Sequence, residues 1–127
     1  MDKRILIIDD EKDLCAILKK RLENITDFEV LIANNGKDGV ALAKEARPLL
    51  IFLDIMMPEM SGYEVLRRLK KDKDTMDIPV VMLSVLDDKP SKLIASALYG
   101  EEYVTKPIEV EKLKEIIEKV LKRRGIE

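Results

Sequence analysis

Short apolar runs alternate with segments of helical period along the whole chain, and that alternation limits the fold more than any other feature. Ile5-Leu6-Ile7-Ile8 is largely β-branched, bounded by charge and apolar at every position, which reads as a strand buried on both faces. Residues 28–33, 49–53 and 80–83, and the pair Tyr103-Val104, read as four more strands. Between them lie helical stripes. Leu14, Leu18, Leu22 and Ile25 form the first, with Cys15 beside them, and residues 37–46 make a short Ala-rich helix. Tyr63, Val65, Leu66 and Leu69 form a third stripe, and residues 90–98 a fourth helix that Gly100 stops. Val110, Leu113, Ile117 and Val120 define a closing helix. Asp10 or a neighbour is expected to cap the first helix, Asn34-Asn35-Gly36 to break the second strand, and Pro58 and Gly62 to mark the loop after the third. Five βα units in succession predict one doubly wound α/β domain, a parallel sheet with helices on both faces. Each apolar stripe is expected to pack into the core.

Composition narrows the chemistry. The 127 residues fit one domain, and 46% hydrophobic content argues against disorder despite 38% charged residues. Histidine is absent, so neither a Ser-His-Asp nor a Cys-His pair can form, nor any zinc site that needs histidine. Cys15 is the one cysteine, which excludes an internal disulfide and a thiolate cage and points to a reducing cytoplasm. A net charge of −2 gives no general attraction for nucleic acid, and Lys122-Arg123-Arg124, the one dense basic run, ends a helix. The apolar runs are too short to span a membrane, and the acidic start is unlike a secretory signal. Glutamine and tryptophan are also absent while Lys and Glu are plentiful, a bias shared with proteins from hot environments.

In doubly wound sheets, ligands bind outside the carboxyl ends of the strands. The first strand ends in Asp9-Asp10-Glu11, the third in Asp54 and the fourth in Ser84, and the fifth is followed by Thr105-Lys106-Pro107. Strand two adds Asn34 and Asn35. Any one of these is ordinary loop polarity, but Asp54 lies between Ile51-Phe52-Leu53 and Ile55-Met56-Met57, where a carboxylate is costly to desolvate unless something balances it. Three converging carboxylates raise one another's pKa values, and a hard divalent cation relieves that repulsion. Lys106 would neutralise a phosphoryl oxygen, the Ser84 hydroxyl would donate to another, and an aspartate nucleophile would form an aspartyl phosphate. The constellation suits phosphoryl transfer.

Four motifs then carry a resemblance over essentially the whole sequence: Ile7-Ile8-Asp9-Asp10-Glu11, the run from Asp54 through Met56-Met57-Pro58 to Gly62, Ser84 after strand four, and Tyr103-Val104-Thr105-Lys106-Pro107. In that order and spacing the chain resembles the receiver domain of bacterial two-component response regulators. The resemblance implies a flavodoxin-like sheet of order 2-1-3-4-5 and one receiver domain over residues 1–127. It implies that Asp54 accepts a phosphoryl group from a phosphohistidine of a sensor histidine kinase or a histidine phosphotransfer protein. It further implies Mg²⁺ held by Asp9, Asp10, Asp54 and the Met56 carbonyl, with Asp9 acting mainly through water, and Lys106 paired with a phosphoryl oxygen. A cis bond between Lys106 and Pro107 is expected to fix the loop that aims the lysine. Ser84 and Tyr103 match the family's switch pair, which alters the surface of the fourth helix, fifth strand and closing helix toward a downstream effector protein. Tyr99 is expected to be an ordinary helix-end aromatic.

Two departures from the family pattern stand out. Val85 follows the switch hydroxyl where a small residue is common, which would narrow access to Asp54. Met56 and Leu86, two places after Asp54 and Ser84, are apolar and hold no attacking water, so a long-lived phosphoryl group is expected. The expected state is a monomer or a weak phosphorylation-dependent dimer, with no turnover activity and no direct nucleic-acid or membrane binding. The length leaves no room for an output domain, so output is expected through another protein, though a receiver cut from a larger hybrid kinase or DNA-binding regulator has the same sequence. A Mg²⁺-dependent phosphatase of the haloacid-dehalogenase type is the enzymatic alternative, but it wants a second Asp two places after the nucleophile. Asp9 is followed by Glu11 there, and Asp54 by Met56. Nucleotide binding lacks its Gly-rich loop after strand one.

Overall fold

The computed structural model describes residues 3–84 and 102–125. Its strands are β1 (Arg4–Ile8), β2 (Glu29–Ala33), β3 (Leu50–Asp54), β4 (Val80–Ser84) and β5 (Glu102–Thr105). Its helices are α1 (Lys12–Ile25), α2 (Gly36–Ala46), α3 (Gly62–Lys71) and α4 (Val110–Arg123). All four strand pairings are parallel, in the order β2-β1-β3-β4-β5. The helix expected over residues 90–98, its stop at Gly100, and Val85, Leu86 and Tyr99 lie outside the described residues.

Side-chain alternation along the strands divides the core into two layers. Ile5, Ile7, Leu50, Phe52, Val81, Leu83 and Val104 point to one face, where α1 and α4 cover them with Leu18, Leu22, Leu113 and Ile117. Leu6, Ile8, Ile51, Leu53, Val80 and Met82 point to the other, under Ala43 of α2 and Val65, Leu66 and Leu69 of α3. The central strands are therefore apolar over Ile5–Ile8, Leu50–Leu53 and Val80–Leu83, because both faces are roofed. Asn35 and Ser61 cap α2 and α3, accepting from the Asp38 and Glu64 N–H groups at 2.7 and 3.3 Å. One expectation holds in position only, and another fails. Asp10 does not cap α1: Glu11 holds the cap position without a side-chain hydrogen bond. Ile25 closes the stripe of α1 but is 40% exposed, because α1 ends there and a residue on its last turn has little of the sheet left to cover.

β2 is an edge strand, and α1 protects it. Lys19 Nζ donates to the Val30 carbonyl at 2.6 Å, and Glu23 Oε2 accepts from the Val30 N–H at 2.8 Å. The two side chains also pair with each other at 3.0 Å. The outward peptide of Val30 is thus bonded within the chain, which blunts pairing with a foreign strand. The Val30 hydrogen bond, then the Lys19 contact, hold the Glu23 pKa below its usual 4.5. A depressed carboxylate contributes stability above its unfolded pKa and loses it as pH falls through the folded one. Glu23→Ala is expected to cost about 1 kcal/mol at pH 7. Urea titrations of both proteins should show that gap narrowing as the pH drops below 4.

Candidate functional site

The sheet register sets the carboxyl ends of β1, β3 and β4 side by side: Ile8 lies opposite Leu53, and Asp54 opposite Leu83. Asp9 follows β1 directly, Asp54 ends β3, Ser84 ends β4, and Lys106 follows β5. Asp9 and Asp54 are buried, at 0% and 3% exposure, and Asp10 is half-buried. One carboxylate oxygen from each of Asp9, Asp10 and Asp54 lies within 4.8 Å of the others.

Lys106 reaches into this cluster from the far side of the sheet. Its Nζ stands 3.0 Å from Asp9 Oδ2, 3.6 Å from Asp54 Oδ1 and 3.4 Å from Glu11 Oε1. The Lys106 N–H donates to the Ser84 carbonyl, and the Lys106–Pro107 bond is cis. Burial pulls the ammonium's pKa down. The contact with Asp9 and the charges of Asp54, Asp9 and Glu11 outweigh burial and raise it, so Lys106 stays a cation. Asp54 moves the opposite way in effect. Burial first, then the Asp9 charge, push its pKa up to about 7, against Lys106 and the Met56 N–H.

Three supporting contacts hold the end of β1. The Glu11 N–H donates to Asp9 Oδ1 at 3.0 Å and turns that carboxylate into the site. Asn34 Nδ2 and Cys15 Sγ both donate to the Asp9 carbonyl, at 2.9 and 3.4 Å. Burial, then the Asp9 charge, push the Cys15 thiol up to about 12, so it serves as packing and a weak donor rather than a nucleophile. The sequence places Glu11 and Asn34 at this edge without a role for either, and nothing in it marks Cys15 as a partner of the site. Asn34 was the accessible signal, a polar side chain ending the neighbouring strand.

The β3–α3 loop is shaped by one close approach. The Gly62 N–H donates to the Ile55 carbonyl at 2.8 Å, and a Cβ on Gly62 would overlap the Asp54 carbonyl oxygen and sit 2.7 Å from Ile55 Cα. Glu59 in this loop has φ +69°, and Met60 N–H bonds the Pro58 carbonyl at 2.7 Å around it, a tight three-residue turn. Met56 points outward at 73% exposure. Ser84 is buried, and Tyr103 is half-buried against the Met82 side of the sheet.

A hard cation fits the donor set, since every anionic ligand is a carboxylate oxygen. Asp9 Oδ2 is also buried with no well-aligned hydrogen bond, its charge balanced by the Lys106 ammonium alone among the described residues. Chemically the site offers a buried carboxylate at the strand end, a fixed ammonium beside it and a buried hydroxyl on the next strand.

Residues 5–118 match the family of the response regulator receiver domain. Protein PilH of Pseudomonas aeruginosa is 38% identical over 122 residues, covering 93% of this chain and 97% of PilH. The uncharacterized transcriptional regulatory protein YkoG of Bacillus subtilis is 39% identical over 122 residues, 95% of this chain and 52% of YkoG. The chain thus spans about half the length of the transcriptional regulators it matches. A CheY-like response regulator receiver domain protein from Methanospirillum hungatei superposes with a TM-score of 0.89 at 26% identity, covering 98% of each chain.

Two substitutions check the site's energetics. Gly62→Ala is expected to destabilise the fold by roughly 1–3 kcal/mol in denaturant titrations, because the overlap is with backbone and cannot relax through a side chain. Asp54 has its folded pKa raised, so its stabilising effect is complete below about pH 4 and is lost as pH rises through about 7. With a chelator present, Asp54→Asn should therefore raise Tm by roughly 5–10 °C at pH 8. That advantage should shrink toward pH 4.

Proposed function

The chain belongs to the response regulator receiver domain family, a family of phosphorylatable signalling modules, and we propose that Asp54 is its phospho-acceptor. The observation that carries this is the buried Asp54 carboxylate with the Lys106 ammonium 3.6 Å from its Oδ1. A carboxylate oxygen attacks phosphorus, the P–N bond of a partner's phosphohistidine breaks, and the bonding pair leaves with the imidazole. An acyl phosphate remains on Asp54. These 127 residues contain no histidine, so the donor must come from outside them, on a histidine kinase or a histidine phosphotransfer protein.

Lys106 is placed to pair with a phosphoryl oxygen. Ser84 and Tyr103 are proposed as the switch that passes the new charge to the β5–α4 surface, where a downstream effector protein would read it. Asp9, Asp10 and Asp54 would hold Mg²⁺, with the Met56 carbonyl as a further ligand. One carboxylate oxygen from each lies within 4.8 Å of the other two, so the three could share a hard cation. When bound, Mg²⁺ neutralises oxygen charge on the phosphoryl group. Asp9 and Asp10 hold their carboxylates toward that position, and the Glu11 N–H keeps Asp9 oriented.

We read the whole chain as one cytoplasmic receiver domain that is modified stoichiometrically rather than turning over substrate. The outward, apolar Met56 offers nothing to hold an attacking water, which favours a long-lived phosphoryl group. Incubation with Mg²⁺ and a phosphorylated kinase or acetyl phosphate, followed by intact mass, should show one added phosphoryl group, absent in Asp54→Ala. No uptake from any donor would count against the reading.

A further inference from the structure

Lys106 faces three carboxylates, and the roles given to Asp9 and Asp54 leave Glu11 unexplained. Glu11 Oε1 lies 3.4 Å from the ammonium, yet the side chain is 56% exposed, unlike the buried pair. It stands at the α1 cap position, and its own N–H orients Asp9. Glu11 is therefore fixed by its backbone at the rim of the cluster while its carboxylate shares Lys106, among the described residues the one cation paired with Asp9 and Asp54.

We propose that Glu11 is a positioning and donor-selecting residue: its carboxylate tethers Lys106 at the rim and disfavours small, highly charged anionic phosphodonors. This rests on Asp54 being the phospho-acceptor. Two effects act in the same direction. A dianionic donor entering the cluster meets the exposed negative charge of Glu11, at a distance where screening by water and salt is partial. Its phosphoryl oxygens must also compete with the Glu11 carboxylate for the Lys106 ammonium. A donor presented by a protein surface covers the rim and brings its own contacts, so it loses less to this barrier. Glu11 thus biases the site away from free metabolite-like phosphates and toward a docked partner.

The test compares wild type, Glu11→Gln and Glu11→Asp in saturating Mg²⁺. Initial phosphorylation rates are measured by intact mass against concentration of acetyl phosphate, a dianion at pH 7, and of phosphoramidate, which carries less negative charge there. Glu11→Gln should raise the acetyl phosphate rate roughly three- to tenfold at low ionic strength, and the gain should fall toward unity in high salt. The gain with phosphoramidate should be at most half as large, and Glu11→Asp should return the rate toward wild type. An unchanged or slower acetyl phosphate rate in Glu11→Gln, a gain that persists in high salt, or an equal gain with both donors would overturn the proposal. Isothermal titration with Mg²⁺ alone supplies a readout independent of phosphorylation. Weakening of less than fivefold in Glu11→Gln fits a residue acting on Lys106, and a greater loss would make Glu11 part of the cation site and overturn the tether. Failure of the underlying reading looks different, because wild type would then take up no label or Asp54→Asn would still take it up.

Discussion

The Lys106 ammonium is the charge on which the rest of the site depends. Asp9 follows and Asp54 ends two neighbouring strands, after the apolar runs Ile5–Ile8 and Leu50–Leu53, and both carboxylates are buried. Two such anions side by side would repel and lack solvent to disperse their charge. Lys106 arrives from β5, the edge strand furthest from β2, and lies 3.0 Å from one and 3.6 Å from the other. The geometry is possible only because the parallel register brings the ends of β1, β3, β4 and β5 to one rim. Sheet order is therefore a chemical requirement of this site as well as a packing solution.

That arrangement leaves a site under electrostatic tension on a rigid support. Asp54 retains its proton to about pH 7 because burial and Asp9 oppose its ionisation more than Lys106 favours it. Additional positive charge is what the cluster lacks, which is the physical reason a divalent cation suits it. The support comes from two apolar layers, one under α1 and α4 and one under α2 and α3, which hold the strand ends in place while the charges above them change. Gly62 completes it by letting the β3–α3 loop close directly over the Asp54 backbone.

How much of this could be read from the residues depends on distance along the chain. β1, β3 and β4 are legible because each carries a run of four apolar residues, and the helical stripes because their period is local. Which face each helix covers was not, since neither alternation nor period says where a crossover returns. Ile25 shows the limit: its spacing continues the stripe of α1, but burial depends on where the sheet ends. The acids and lysine at the strand ends were legible as a set, and the family resemblance supplied their roles. The Glu11–Lys106 pair was not, because it joins side chains 95 residues apart whose meeting depends on the turn after β5. The roles of Asn34 and Cys15 are hidden for a related reason, since both act on a backbone carbonyl; only the position of Asn34 at the strand end hints at one.

The same charges bear on why such a site would accept a group and keep it. Hydrolysis of an acyl phosphate needs a base or a held water near the carbonyl or the phosphorus. On the proposed reading, Asp54, whose pKa burial and Asp9 push up to about 7, is the carboxylate consumed by phosphorylation. Lys106 is held cationic by its neighbours, so it donates and cannot remove a proton. Cys15 remains protonated at neutral pH with its sulfur directed to the Asp9 carbonyl. The sequence has no histidine to take the part of any of them. Asp9 is oriented by the Glu11 N–H and paired with Lys106, which ties it to positioning charge. On that reading, Lys106, Cys15 and Asp9 would help Asp54 receive a phosphoryl group yet are, among the described residues, poor at removing it.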